Sequence, residues 1–128
     1  MAALKQNYLG VDWGEKRIGL ALGFAETKMA LPFKTVSSLG ELLAVIKAEE
    51  IEVIVLGNPQ KLSGERSDNR KWLLFYSALK EKVSLPLYLQ DERLSSKAVD
   101  ALIGSKKDKV GRDEMAAAFI LQAFFDSE

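Results

Sequence analysis

The sequence predicts an α/β fold in which an antiparallel β-meander runs on into alternating helices and strands, giving one mixed five-stranded sheet flanked by helices. Three observations predict it. Residues 8–36 hold three short apolar runs, Y-L-G-V-D, R-I-G-L-A-L-G-F and M-A-L-P-F-K-T-V, separated by turn-like polar residues. Two later apolar runs, 53–56 and 85–90, alternate with segments of helical periodicity. The chain of 128 residues fits one domain spanning 1–128, since domains commonly run to about 100 to 200 residues.

The three N-terminal runs read as strands joined in two consecutive hairpins. Ser38-Leu39-Gly40-Glu41 has the pattern of a capping box ahead of Leu42, Leu43 and Ile46, so a helix is expected to about residue 50. Residues 53–56 are continuously aliphatic and end at Gly57-Asn58-Pro59, as a central strand covered on both faces should. A polar loop over 60–68 follows. Trp72, Phe75, Tyr76 and Leu79 recur at helical spacing and mark a second amphipathic helix. Residues 85–90 read as a strand, 95–103 as a short helix and 113–125 as a final apolar helix. Helices between the later strands demand parallel pairing through right-handed crossovers. This order fits the ribonuclease H-like architecture and other mixed-sheet α/β folds as well, so it names no function by itself.

Composition narrows the chemistry. With 48% hydrophobic and 28% charged residues the chain can bury a core and is far from the signature of disorder. It has no cysteine and no histidine, which excludes disulfides, thiolate nucleophiles, cysteine-ligated metals, Ser-His triads and histidine bases. A metal would sit on oxygen ligands. Eighteen basic residues balance eighteen acidic ones, so only local clustering can speak for a polyanionic partner. Residues 1–7 lack the apolar stretch of a signal peptide and no run approaches the roughly 18 residues of a membrane span, so a soluble, cytoplasmic protein is expected.

Three acidic segments carry the candidate site. Asp12 ends the first strand, with Tyr8 and Gly10 on its face and Leu9 and Val11 on the other; an Asp here also suits capping of the following turn. Asp91 and Glu92 end the fifth strand. Its two-residue period puts Asp91 with Leu85, Leu87 and Leu89, and Glu92 with Tyr88 and Gln90, so only one should face a shared site, and Glu92 is the better candidate. Asp91 can instead pair with Arg93 or cap a helix, and Ser95 or Ser96 reads as an N-cap. Asp113 opens the last helix and shares a face with Ala117, Ile120 and Phe124; the helix dipole favours a carboxylate there, whether as a ligand or as a plain N-cap. Acids from three distant segments, each at a strand end or helix start, could meet at one edge of the sheet, as Mg2+ or Mn2+ phosphoryl chemistry requires.

Basic residues cluster nearby: Lys61, Arg66, Arg70 and Lys71 after Gly57-Asn58-Pro59, and Lys97, Lys106, Lys107, Lys109 and Arg112 before Asp113. Such loops can bind phosphates, although surface lysines are usually only solvated. Lys16, Arg17, Asn58, Arg93, Lys109 and Arg112 are the candidate substrate contacts.

Together these segments resemble the YqgF/RuvX family, described both as Holliday junction resolvases and as pre-16S rRNA nucleases. D-W-G-E-K-R-I-G is similar to the family's D-x-G-x-K-R-I-G opening, and I-V-L-G-N-P followed by L-S-G to its fourth-strand block. D-E-R-L-S-S resembles its D-E-R-L-[ST]-[ST] segment, and D-E-M-A-A-A-F-I-L-Q its closing D-x-x-A-A-x-x-I-L. Asn58 stands where the family has an aliphatic residue, and Gly111-Arg112 replaces an apolar approach to the last Asp. The resemblance implies a ribonuclease H-like fold and metal-dependent cleavage of pre-rRNA or branched DNA. Asp12 and Asp113 would be ligands of Mg2+ or Mn2+, with Glu92 or Asp91 as the third acid, and a water would attack in line between two metals. Two other classes share the fold: a phosphate- or nucleotide-binding ATPase-like domain, which needs a second domain to enclose nucleotide, and a non-catalytic nucleic-acid-binding module, which would not need the three acids. A dimer suits a symmetric junction and a monomer suits rRNA trimming.

Overall fold

A computed structural model describes residues 6–59, 70–91 and 111–127. Its elements are β1 (Asn7–Trp13), β2 (Ile18–Phe24), β3 (Met29–Val36), α1 (Leu39–Ala48), β4 (Val53–Asn58), α2 (Arg70–Lys82), β5 (Leu87–Asp91) and α3 (Arg112–Asp126). The strands form one five-stranded sheet in the order β3-β2-β1-β4-β5. The first three pair antiparallel as the two expected hairpins. β4 runs parallel to both β1 and β5, so the C-terminal ends of β1, β4 and β5 share one edge of the sheet.

Side-chain alternation sorts the strands into two cores. Leu9, Val11, Ile18, Leu20, Ile54 and Leu56 point one way and pack with Leu42 and Ile46 of α1 and Trp72, Phe75 and Leu79 of α2. Tyr8, Ala21, Val53 and Val55 point the other way, onto Ala117, Ile120, Leu121, Phe124 and Phe125 of α3. This confirms Tyr8 on the face opposite Leu9 and Val11, and β4 as a strand buried on both faces.

Element ends differ from expectation by a few residues, for local reasons. α1 is capped as its pattern indicates, Glu41 N donating to Ser38 Oγ at 3.1 Å, but the reciprocal bond runs from Ser37 N to Glu41 Oε1 at 2.8 Å. It stops at Ala48 rather than near 50, because the chain turns at Glu50 with φ 53°. β5 begins at Leu87 rather than Leu85: Pro86 has no N–H to give a ladder, although its carbonyl accepts from Ile54 N at 3.0 Å. The expected loop at 60–68 and helix at 95–103 lie outside the described residues.

Candidate active site

Strand β1 delivers Asp12 to the shared C-terminal edge of β1, β4 and β5, the side on which open α/β sheets hold their ligands. Its face is set by the residues beneath it. Tyr8 packs on Phe124 and Phe125, with ring centroids 6.1 and 5.1 Å apart. A Cβ added to Gly10 would lie 2.8 Å from both Ala117 O and Leu121 Cβ. Two residues further on, Asp12 looks toward the same helix. α3 therefore runs antiparallel to β1 and brings its first turn to Asp12.

Gly19 defines that approach. It is the register partner of Asp12 across the β1–β2 ladder, and a Cβ at this position would run into the Asp113 carbonyl and lie 2.9 Å from Asp113 Cβ. Real Cβ atoms do not tolerate such spacing, so only glycine lets the helix sit here. Asp12 and Asp113, a hundred residues apart in sequence, thus share Gly19 as a common neighbour.

Asp113 is the second residue of α3, not its cap. The N-cap position is Gly111, at φ 89°, and it makes no side-chain capping bond. The Asp113 carboxylate turns instead to Arg17, whose Nε lies 2.8 Å from Asp113 Oδ2. Arg17 sits at the end of the β1–β2 hairpin, which is tight enough that a Cβ on Gly14 would lie 2.7 Å from Arg17 O. In the same hairpin Lys16 is exposed, and Glu15 forms an ion pair with Lys71 of α2. Arg112, the first residue of α3, is half-buried beside Asp113.

The β1 level continues across the sheet on both sides. Thr35 of β3 is the register partner of Gly19 and donates from Oγ1 to Glu114 Oε2 at 2.6 Å. Glu114 Oε1 is buried and has no hydrogen-bond partner among the described residues. Toward β5, Gly57 pairs with Gln90 and Asn58 with Asp91. Tyr88 packs on Phe124 at a centroid distance of 5.3 Å, whereas Leu87 packs into the α1–α2 core. Alternation then assigns Gln90 to the face of Asp12, and Asp91 and Asn58 to the opposite one. Glu92, Arg93 and Lys109 lie outside the described residues. Among the described residues no group of three acidic side chains gathers closely enough to hold a metal ion alone.

Asp12, Asp113 and Arg17 are thus brought together. Asn58 and Asp91 adjoin each other on the other face. Gly19 and Glu114 lie inside two of the candidate segments, Gly19 as a glycine expected to admit close approach and Glu114 without a role of its own; Thr35 was missed. Glycines at 10, 19 and 23, spaced among large aliphatics on apolar strands, were the signal for a closely seated helix; nothing local marks Thr35.

The fold recurs in Holliday junction resolvases. RuvC of T. thermophilus in complex with a Holliday junction substrate matches with a TM-score of 0.60 at 14% identity, covering 95% of this chain and 94% of that one. The fowlpox virus resolvase in complex with Holliday junction DNA matches with a TM-score of 0.55 at 13% identity, covering 95% and 98%. The architecture is therefore ribonuclease H-like, and the chain falls among the nucleases built on it. A relative from Orientia tsutsugamushi (strain Ikeda), named "Putative pre-16S rRNA nuclease", is 36% identical over 94% of this chain and 84% of its own length. One of the same name from Rickettsia africae (strain ESF-5) is 31% identical over 93% and 85%. Residues 6–127 match the model of RuvX, Holliday junction resolvase, and the chain belongs to that family.

Proposed function

We propose that the chain, as one nuclease domain over residues 1–128, hydrolyses phosphodiester bonds with Mg2+ or Mn2+ held by Asp12, Asp113 and Glu92. The observation that carries this reading is the seating of Asp113 against Gly19, the partner of Asp12, which no side chain larger than hydrogen would permit. In the sequence Glu92 continues the two-residue period of Tyr88 and Gln90, which is why it is preferred to Asp91 as the third acid. The donors suit a hard cation. All are oxygens, and a second carboxylate in the same first turn, Glu114, has a buried oxygen without a hydrogen-bond partner among the described residues.

A divalent ion bound there would lower the pKa of water and stabilise charge on the attacking and leaving oxygens. The chain itself does the rest. Asp12 and Asp113 set the position of the reacting phosphate on the edge of the sheet, while Lys16, Arg17 and Arg112 hold flanking phosphates, with Arg93 and Lys109 as further contacts; Asn58, on the opposite face, is left out of the path. Such contacts position a nucleic acid without reading its bases. The relatives' name favours pre-16S rRNA over four-way DNA junctions; we place the cut at its 5′ end, in ribosome biogenesis in the cytoplasm. No helix among the described residues is long and apolar enough to cross a membrane.

The test is cleavage of a pre-16S 5′ leader and a four-way DNA junction, side by side, with Mg2+ or Mn2+. The wild type should cut the leader, and Asp12→Asn should lower the rate by about a hundredfold or more at unchanged fold, as loss of a charge-stabilising group does. Full metal-dependent cleavage by Asp12→Asn would end the proposal.

A further inference from the structure

We infer that Arg17 is an exchangeable counter-ion: it pairs with the Asp113 carboxylate and transfers to a nucleic-acid phosphate when a divalent cation takes Asp113. The inference rests on Asp113 being a metal ligand and adds a residue that couples metal binding to substrate binding. The ion pair is close, at 2.8 Å, yet the Arg17 side chain is 63% exposed against 29% for Asp113. With the guanidinium in solvent and the carboxylate half-buried the pair is screened from one side, so a divalent ion on the carboxylate oxygens can displace it.

The hairpin holds the backbone of Arg17 in place, because Gly14 lies against its carbonyl, while the side chain keeps its rotamer freedom. The displaced guanidinium therefore stays at the mouth of the site. Its planar fork matches a phosphate better than a lysine would. Glu15, the acid of the same hairpin, pairs with Lys71 on α2, the side away from α3. By linkage, whatever the metal contributes to releasing Arg17 appears as tighter substrate binding in metal, and the reverse.

The experiment titrates Mn2+ by calorimetry into wild type, Arg17→Gln, Arg17→Lys and Asp113→Asn without nucleic acid, then measures binding of a pre-16S 5′ leader RNA with and without Ca2+. Arg17→Gln should bind Mn2+ about 3- to 10-fold tighter, because a competing cation has been removed. Arg17→Lys should stay close to wild type. In leader binding, Arg17→Gln should weaken affinity several-fold in Ca2+ and much less without it. Unchanged or weaker Mn2+ affinity in Arg17→Gln overturns the exchange, as does an equal leader-binding defect with and without Ca2+. Asp113→Asn separates the two readings: if it binds Mn2+ like wild type, the metal site itself is misassigned, whereas lost binding beside an inert Arg17→Gln rejects the exchange alone.

Discussion

The two faces of one sheet are built on opposite rules. Along β2, Ile18, Leu20 and Leu22 fill the α1–α2 side, while Gly19, Ala21 and Gly23 line the α3 side. Along β1, Leu9, Val11 and Trp13 alternate with Tyr8, Gly10 and Asp12 in the same way. The first face gains stability by burying large side chains. The second gives up side-chain volume so that a helix backbone can lie on the strands. Since α3 carries Asp113 in its first turn, close seating becomes placement of one acid against another. Both faces bury a core, and on the proposed function the second also sets the geometry of the chemistry.

The contrast breaks most directly on the large-side-chain face. Leu20 is fully buried between the sheet and α1–α2. Leu20→Ala should cost about 2–5 kcal/mol in unfolding free energy, measured by urea titration. Activity per folded molecule, assayed well below the new midpoint, should stay near that of the wild type. A matching loss of catalytic rate would show that the two faces are not separable.

Gly19→Ala is the reciprocal change, adding one methyl where Asp113 backbone already sits. Overpacking against backbone should cost about 1–3 kcal/mol. Its larger consequence is catalytic: shifting α3 by about an ångström should lower metal-dependent cleavage on the order of a hundredfold. Mn2+ affinity should fall with it. A Gly19→Ala protein that cleaves like wild type would mean that Asp12 and Asp113 do not act as a pair.

Much of this contrast was legible beforehand. Period-two alternation in residues 8–24 separates the faces, and the continuous apolar run at 53–56 marks β4 as central. Asp12 and Asp113 were recognisable from their placement at a strand end and a helix start, and from the family pattern. The contact through Gly19 was not, because register between β1 and β2 and the height of α3 above them come from tertiary packing. The capping alternative for Asp113 fails for a related reason. Gly111 occupies the cap in a left-handed turn, so the carboxylate comes two positions too late to cap and reaches Arg17. Thr35 carries no local signal at all, since threonine is ordinary on an edge strand such as β3.

Thr35 tests how the seated helix is steered. Its hydroxyl is a hydrogen-bond donor to Glu114, whose other carboxylate oxygen is buried without a donor among the described residues. Thr35→Val keeps the shape of the side chain and removes that donor. Stability should fall by about 1–2 kcal/mol, the usual loss when a partly buried charged acceptor is abandoned. Thr35→Ser should recover most of it. If Thr35→Val also lowers Mn2+ affinity while Thr35→Ser restores it, the β3 contact tunes the first turn of α3 as well as holding it.

The smallest effect is expected where the two faces meet. Trp72 belongs to the α2 side, yet its Nε1 donates to Gly57 O at 3.1 Å, at the end of β4 beside the candidate site. Trp72 also stacks on Tyr76 at a centroid distance of 5.2 Å, so the ring is held independently of that bond. Trp72→Phe retains most of the apolar contact and removes the donor, leaving a buried carbonyl without it. The expected loss is about 1–2 kcal/mol by urea titration, with cleavage within about threefold of wild type. A tenfold or greater fall in cleavage at intact fold would correspond to about 1.4 kcal/mol of transition-state stabilisation lost. That outcome would make Gly57 a positional element of the site, and the division between a stabilising and a catalytic face would then run through β4 rather than between the layers.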